Sequence, residues 1–234
     1  MSREFYERTS PISLGDQGFA YQRALEHMLG ENPTILDPSQ PRLFVLGGFH
    51  PYNGTPQAFI EFCQRNHPNP DDTHVFLDIN SQPLEALNPQ RYPNRIQTGV
   101  ENLDRHFKPE SIDLLFMDCT LNFMNPDQAR QFAQTASRTL SKNGLVLATI
   151  RSRKRDSLLN WFMKDKVLTS TRYGMKVFYY SDEQAKALIT GHLKLSLIAD
   201  FKPDLGTSNT LLALSRPDSP FSTHQGYPYY FERE

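Results

Sequence analysis

Short continuous apolar runs, set between turn residues, dominate the hydrophobic pattern of this chain. Leu43 to Leu46 is the first, closed by Gly47 and Gly48. Thr73-His-Val-Phe-Leu-Asp-Ile-Asn is the second and carries Asp78 near its end. Arg95-Ile-Gln-Thr-Gly is a weaker third, Ser111 to Thr120 a strong fourth and Gly144 to Ile150 a fifth. Runs of this length without alternation predict strands buried on both faces, as in a parallel sheet. Between them the period changes to that of a helix. Thr55 to Arg65 reads as helix, and 81–90 as a short one broken by Pro89. Asp127 to Leu140 places Ala129, Phe132, Ala136 and Leu140 on one face behind Pro126, with Lys142-Asn-Gly as the following turn. Ser181-Asp-Glu-Gln caps a helix reaching Ile189, and Leu193 to Phe201 with Thr210 to Ser215 predict a closing strand pair.

Strands alternating with helices of this size imply right-handed crossovers and a mainly parallel α/β sheet. The main domain is expected over 41–215. Residues 1–40 precede it, with a helix from about Gln17 whose Phe19, Ala20, Leu25, Met28 and Leu29 share a face and whose stop is Gly30. That helix either caps the ligand edge of the sheet or packs on its flank. Residues 216–234 form a tail rich in Pro and aromatic residues, which is expected to dock on its own domain. Residues 151–180 exceed an ordinary connection and read as a lid-like insert.

Composition narrows the functional classes. The 234 residues suffice for one sizeable core. With 25 basic and 26 acidic residues, no whole-chain field favours nucleic acid or an anionic membrane. The N-terminal residues are polar and no apolar run approaches membrane-spanning length, which predicts a cytoplasmic protein without a membrane partner. The cysteines, Cys63 and Cys119, read as two buried reduced thiols, with a single disulfide as the alternative, and no metal-ligand spacing occurs.

The candidate chemistry lies at the end of the first strand. Strand, glycine turn and helix is the layout that holds a nucleotide-like ligand at the C-terminal edge of an open α/β sheet. The turn reads Gly47-Gly-Phe-His-Pro-Tyr-Asn-Gly54, with bulky residues where a pyrophosphate would need close backbone approach. A nucleoside-like ligand without phosphates fits better. Asp78, ending the second strand, can accept hydrogen bonds from both ribose hydroxyls, or can cap the next turn through Asn80 and Ser81. His50 titrates near neutrality and is the candidate catalytic base or substrate contact, although a lone loop histidine is more often structural.

In the order and spacing of these segments, the chain resembles the class I S-adenosylmethionine-dependent methyltransferases over roughly residues 40–215. The segments are Gly99-Val-Glu-Asn-Leu, Pro109 to Asp118, Asp127 through Ala148, and Ser181 to the closing strands. The resemblance implies a three-layer Rossmann-like fold, mostly parallel with an antiparallel C-terminal strand. It implies S-adenosylmethionine as cofactor, S-adenosylhomocysteine as product and a small-molecule acceptor. By position, Gly47, Gly48 and Phe49 would line the cofactor and Asp78 would bind its ribose. Ile79 would pack on the adenine, and Glu101 or Asn102 would reach the adenine edge. Asp118, Cys119 and Thr120 would lie where the acceptor enters. The sequence departs from the family pattern at Val45, Phe49 and Pro51, which replace an acid and two glycines. Those departures leave open a non-catalytic binding or scaffold relative. In the insert, Arg151, Arg153, Lys154, Arg155, Lys164 and Lys166 could meet an anionic acceptor. Trp161, Phe162, Tyr173, Phe178 and Tyr179 could meet an aromatic one or the sulfonium.

Overall fold

The computed structural model describes residues 22–28, 30, 36–37, 39–49, 55–153, 168–172, 175–180, 182–204, 207–221 and 229–230. Helix α1 (22–28) leads to β1 (Leu43–Gly47), α2 (Thr55–Asn66), β2 (Thr73–Asp78), α3 (Ser81–Glu85) and β3 (Arg95–Gln97). A 3-10 turn, Val100–Arg105, precedes β4 (Ile112–Asp118), and a second, Thr120–Phe123, precedes α4 (Pro126–Thr139). Next come β5 (Leu140–Arg153), the hairpin β6 (Leu168–Arg172) with β7 (Met175–Tyr179), α5 (Asp182–Ile189), β8 (Lys194–Asp204), β9 (Thr207–Ser215) and β10 (Tyr229–Tyr230).

The main sheet has the order β10-β8-β9-β5-β4-β1-β2-β3. The pairings β1–β2, β1–β4, β2–β3 and β4–β5 are parallel, and β9 runs antiparallel to both β5 and β8. This is the predicted mostly parallel sheet with an antiparallel C-terminal strand. Alternation along each strand sends side chains to opposite faces. Phe44 and Leu46 therefore join one core with Phe76, Leu114, Phe116, Leu145 and Leu147, under α1 and α2. Val45 joins the other with Leu77, Leu115, Met117, Val146 and Ala148, under α4 and α5. Two apolar faces covered by helices give three layers. The strand order reverses between β1 and β4, and open α/β sheets bind ligands beyond the C-terminal strand ends at such a switch point.

The helix predicted over residues 127–140 was legible because its start is written locally. The Asn125 side chain accepts from the Asp127 and Gln128 amides at 3.0 and 2.9 Å, and the Gln128 side chain returns the bond to the Asn125 amide. Pro126 starts the first turn. Asn125→Ala is expected to lower stability by about 1 kcal/mol, read by urea denaturation, the usual cost of a lost cap.

Several expectations are corrected. Gly30 is itself helical, and Phe19, Ala20, Leu29 and the residues directly after Gly30 lie outside the described residues. Ala24, Leu25 and Met28 are buried in the core under the sheet's flank. Helix α3 ends at Glu85, short of Pro89. Lys142 to Gly144 lies within β5, where pairing with β4 shifts register between Ile112 and Leu114. A Cβ on Gly144 would stand 2.6 Å from the Ile112 carbonyl oxygen, so only glycine fits that irregularity. Of the insert, 154–167, 173 and 174 lie outside the described residues, as do Trp161, Phe162 and most of the basic cluster. The tail's Tyr229 and Tyr230 pair in parallel with Ala199 and Asp200 on the sheet edge.

Candidate functional site

The site begins with the register of β1 on β2. Gly47 stands opposite Leu77, and the Gly48 amide donates to the Leu77 carbonyl at 2.9 Å. The glycine turn and Asp78 are thereby set side by side. Gly48 has φ +72°, in the left-handed region that glycine adopts without a Cβ penalty. A Cβ there would also overlap the Thr120 hydroxyl, and one on Gly47 would overlap Val100. Gly48 lets the ends of the first and fourth strands close on each other, and Gly47 lets the Val100 turn after β3 pack against the first. Thr120 Oγ1 seals the contact, donating to the Gly47 carbonyl at 2.9 Å.

Phe49 does not line the ligand edge with its ring. It is 5% exposed, its ring edge-on to Phe76 in the core beneath the sheet. Only its backbone N–H faces the site, toward the Asp78 carboxylate. The bulky residue that seemed to crowd the turn is thus turned away from it. His50, Pro51 and Tyr52 lie outside the described residues.

Asp78 is 4% exposed. Its Oδ1 accepts from the Asn80 amide at 2.8 Å and from Asn80 Nδ2 at 3.2 Å. The turn-capping role and proximity to the glycines therefore coexist in one side chain. Burial raises its pKa above the ordinary 3.8, opposed by the hydrogen bonds from Asn80 and the Phe49 amide. Beside this buried acid, Ile79 is 57% exposed, a large apolar side chain left in solvent at the strand's end.

Glu101 and Asn102 part company in the 3-10 turn. The Glu101 carboxylate folds over the Cα of Gly99, into the space a side chain there would take. Asn102 Oδ1 instead accepts from Gln131 Nε2 at 3.4 Å, on α4. Its φ of −117° breaks the turn's helical geometry.

At the end of β4, Asp118, Cys119 and Thr120 form a tight corner. Thr149, from β5, donates its hydroxyl to Asp118 Oδ1 at 2.8 Å and accepts from the Cys119 amide at 3.1 Å. Cys119 has φ +51°, a left-handed conformation costing a non-glycine residue roughly 1–2 kcal/mol. It is half-buried rather than buried, and both cysteines are free thiols. Thr149 went unnoticed in the sequence, although a hydroxyl inside the apolar run from Leu145 to Ile150 was a visible signal. Asn122 was also missed. It is a buried amide in the turn after β4, donating from Nδ2 to the Phe178 carbonyl at 2.7 Å. Val45, where the family pattern has an acid, is wholly buried in the core. Among the described residues, no group of three or more His, Cys, Asp or Glu could hold a metal ion, and no helix is long and apolar enough to cross a membrane.

No family model matches the chain, and no curated protein matches it either. Solved structures do. An S-adenosylmethionine-dependent methyltransferase from Clostridium acetobutylicum aligns over 89% of this chain and 94% of its own, at TM-score 0.60 and 13% identity. The N-methyltransferase NodS from Bradyrhizobium japonicum, in complex with S-adenosylhomocysteine, aligns over 92% and 95%, at TM-score 0.56 and 13% identity. The 1,6-didemethyltoxoflavin-N1-methyltransferase of Burkholderia thailandensis aligns over 86% and 84%, at TM-score 0.56 and 13% identity. At such identities the likeness is one of fold. With its strand order and with β9 alone antiparallel among the described strands of the main sheet, the chain carries the three-layer Rossmann-like fold of class I S-adenosylmethionine-dependent methyltransferases.

Proposed function

We propose that the protein is an S-adenosylmethionine-dependent methyltransferase acting on a small-molecule acceptor. The observation that carries this reading is the juxtaposition of the buried Asp78 carboxylate, the exposed Ile79 and the Gly47–Gly48 turn at the sheet's switch point. A nucleoside needs a carboxylate for its ribose hydroxyls, an apolar face for its base and backbone without side chains for close approach. The three lie side by side at the ends of β1 and β2; Val100 and Thr120 fill the space a Cβ would take on Gly47 and Gly48, so the ligand approaches the turn along its remaining backbone face. Asp78 binds the ribose, Ile79 packs on the adenine and Gly47 with Gly48 lines the methionine portion. Glu101, rather than Asn102, reaches the adenine edge, since Asn102 is directed to Gln131 on α4. The Phe49 contribution is its backbone, which steadies Asp78. Asp118, Cys119 and Thr120 border the acceptor, and His50 remains the candidate base for an acceptor that arrives protonated.

The bound cofactor would supply an electrophilic methyl group for in-line displacement, which demands positioning more than acid–base help. The structure neighbours named for small-molecule and N-methyl transfer agree with that acceptor class. One observation favours a second reading, a non-catalytic relative: Val45 leaves no carboxylate in β1 for the cofactor's amino group. Calorimetry with S-adenosylhomocysteine separates the two. Saturable binding in the micromolar range is expected, and no heat at millimolar ligand would sink the enzyme reading. Methyl transfer to any acceptor in a metabolite pool would dispose of the scaffold alternative.

A further inference from the structure

The β6–β7 hairpin is a two-stranded sheet of its own, separate from the main sheet. Such hairpins are marginal in water and take their position from whatever they pack on. This one rests on the 3-10 turn Thr120–Phe123, just beyond the C-terminal end of β4. Val177 and Phe178 are buried. Asn122, 2% exposed, donates from Nδ2 to the Phe178 carbonyl at 2.7 Å. Tyr180, equally buried, donates its hydroxyl to the Met124 carbonyl at 2.6 Å. Burial pushes the Tyr180 phenol up to about 12, so it stays a donor throughout the working pH range.

The same turn touches the cofactor side. Thr120 Oγ1 donates to the Gly47 carbonyl, and the Thr120 side chain fills the space over Gly48. Between these contacts the turn is internally braced. The Asn122 amide donates to the Cys119 carbonyl at 3.1 Å and the Met124 amide to the Leu121 carbonyl at 3.2 Å. One short rigid segment thus holds the glycine turn at its start and the hairpin at its end.

We infer that Asn122 is a positioning residue that fixes the β6–β7 hairpin, as a wall beside the Asp118–Thr120 corner that borders the acceptor, to the turn whose Thr120 packs on Gly47 and Gly48. The inference rests on the methyltransferase reading. Ligand ordering of the Gly47–Gly48 turn is carried through Thr120 and Asn122 to the hairpin, because fluctuations of one braced segment are shared by everything hydrogen-bonded to it. Cofactor binding therefore sets the acceptor wall before the acceptor arrives.

Hydrogen exchange on the full chain, with and without saturating S-adenosylhomocysteine, tests this. In the wild type the ligand is expected to slow exchange of the β6 and β7 amides by about threefold or more. In Asn122→Ala, S-adenosylhomocysteine is expected to bind within about threefold of wild-type affinity while the ligand-dependent slowing disappears. A merely structural role would speed hairpin exchange equally in both states and leave that difference intact. Should Asn122→Ala not fold, Tyr180→Phe serves instead, with the slowing reduced by about half. Binding to the wild type without any hairpin response overturns this inference alone, as does an undiminished response in the variants. Absence of binding to the wild type sinks the cofactor reading and this one with it.

Discussion

Gly48→Ala is expected to lower the stability of the protein by about 2–5 kcal/mol and to abolish S-adenosylhomocysteine binding at micromolar ligand. Two independent effects add. At φ +72° an L-residue loses roughly 1–2 kcal/mol against the preceding carbonyl geometry. The new methyl group also overlaps the Thr120 hydroxyl, and overpacking in a closed site typically costs about 1–3 kcal/mol. Relief by rotating Thr120 would release the Gly47 carbonyl it holds at 2.9 Å, so the strain moves into the turn rather than leaving it. The two effects separate in a double-mutant cycle. In a Thr120→Ala background the overlap is gone and only the backbone cost should remain, so the penalty should fall by about half. Urea denaturation reads both values. A Gly48→Ala protein within about 0.5 kcal/mol of wild type would show that the turn does not hold this geometry in solution.

That glycine pair was visible in the sequence as a turn, but its reason was not. The strands themselves were legible because Phe44 to Leu46, Leu114 to Met117 and Leu145 to Ile150 are buried on both faces, and continuous burial writes itself as continuous apolar sequence. Helix α4 was legible because Pro126 and Asp127 mark its start and Ala129, Phe132 and Ala136 recur at helical spacing; the Asn125–Gln128 cap that fixes that start emerged only in the structure. The hairpin Leu168–Arg172 with Met175–Tyr179 was read only as an insert. Its Phe178 carbonyl accepts from a buried amide, Asn122, 56 positions earlier in the chain, and no local period reports such a partner. The direction of Phe49 was hidden for a similar reason. A left-handed Gly48 reverses the chain so that the next ring drops into the core beneath Phe76, and the sequence shows a bulky residue without showing which way it points. Glu101 and Asn102 differ by one residue of register, and the fold sets them apart in a way no local pattern shows: the Glu101 carboxylate occupies the space over Gly99, while Asn102 Oδ1 accepts from Gln131.

Asp78→Asn should part affinity from stability in opposite directions. The amide keeps an oxygen for the Asn80 N–H, which Oδ1 accepts at 2.8 Å in the native protein, so the turn after β2 should survive. What disappears is the buried charge, and with it one of the two oxygens that accept from Asn80 and the Phe49 amide. Because burial raises the Asp78 pKa above 3.8, the folded protein holds this proton more tightly than the unfolded chain does. Stability therefore falls as pH rises from the ordinary value through the raised one, and the full cost of ionisation is present at neutral pH. Removing the charge should leave the melting temperature at pH 7 unchanged or higher. Affinity for S-adenosylhomocysteine should fall about ten- to hundredfold, since a hydrogen bond to a charged group contributes about 1.5–3 kcal/mol. The pH dependence of binding follows with its own sign. Ribose hydroxyls donate to the carboxylate and favour its ionised form, so wild-type affinity should weaken on acidification once pH drops through the raised Asp78 value. The Asn variant should show no such slope from this site. Calorimetric titrations run from neutral pH downward, through the raised Asp78 value toward the ordinary aspartate one, decide the matter. Equal affinity of variant and wild type at pH 7 would remove Asp78 from the ribose and leave it as the cap of Asn80 alone.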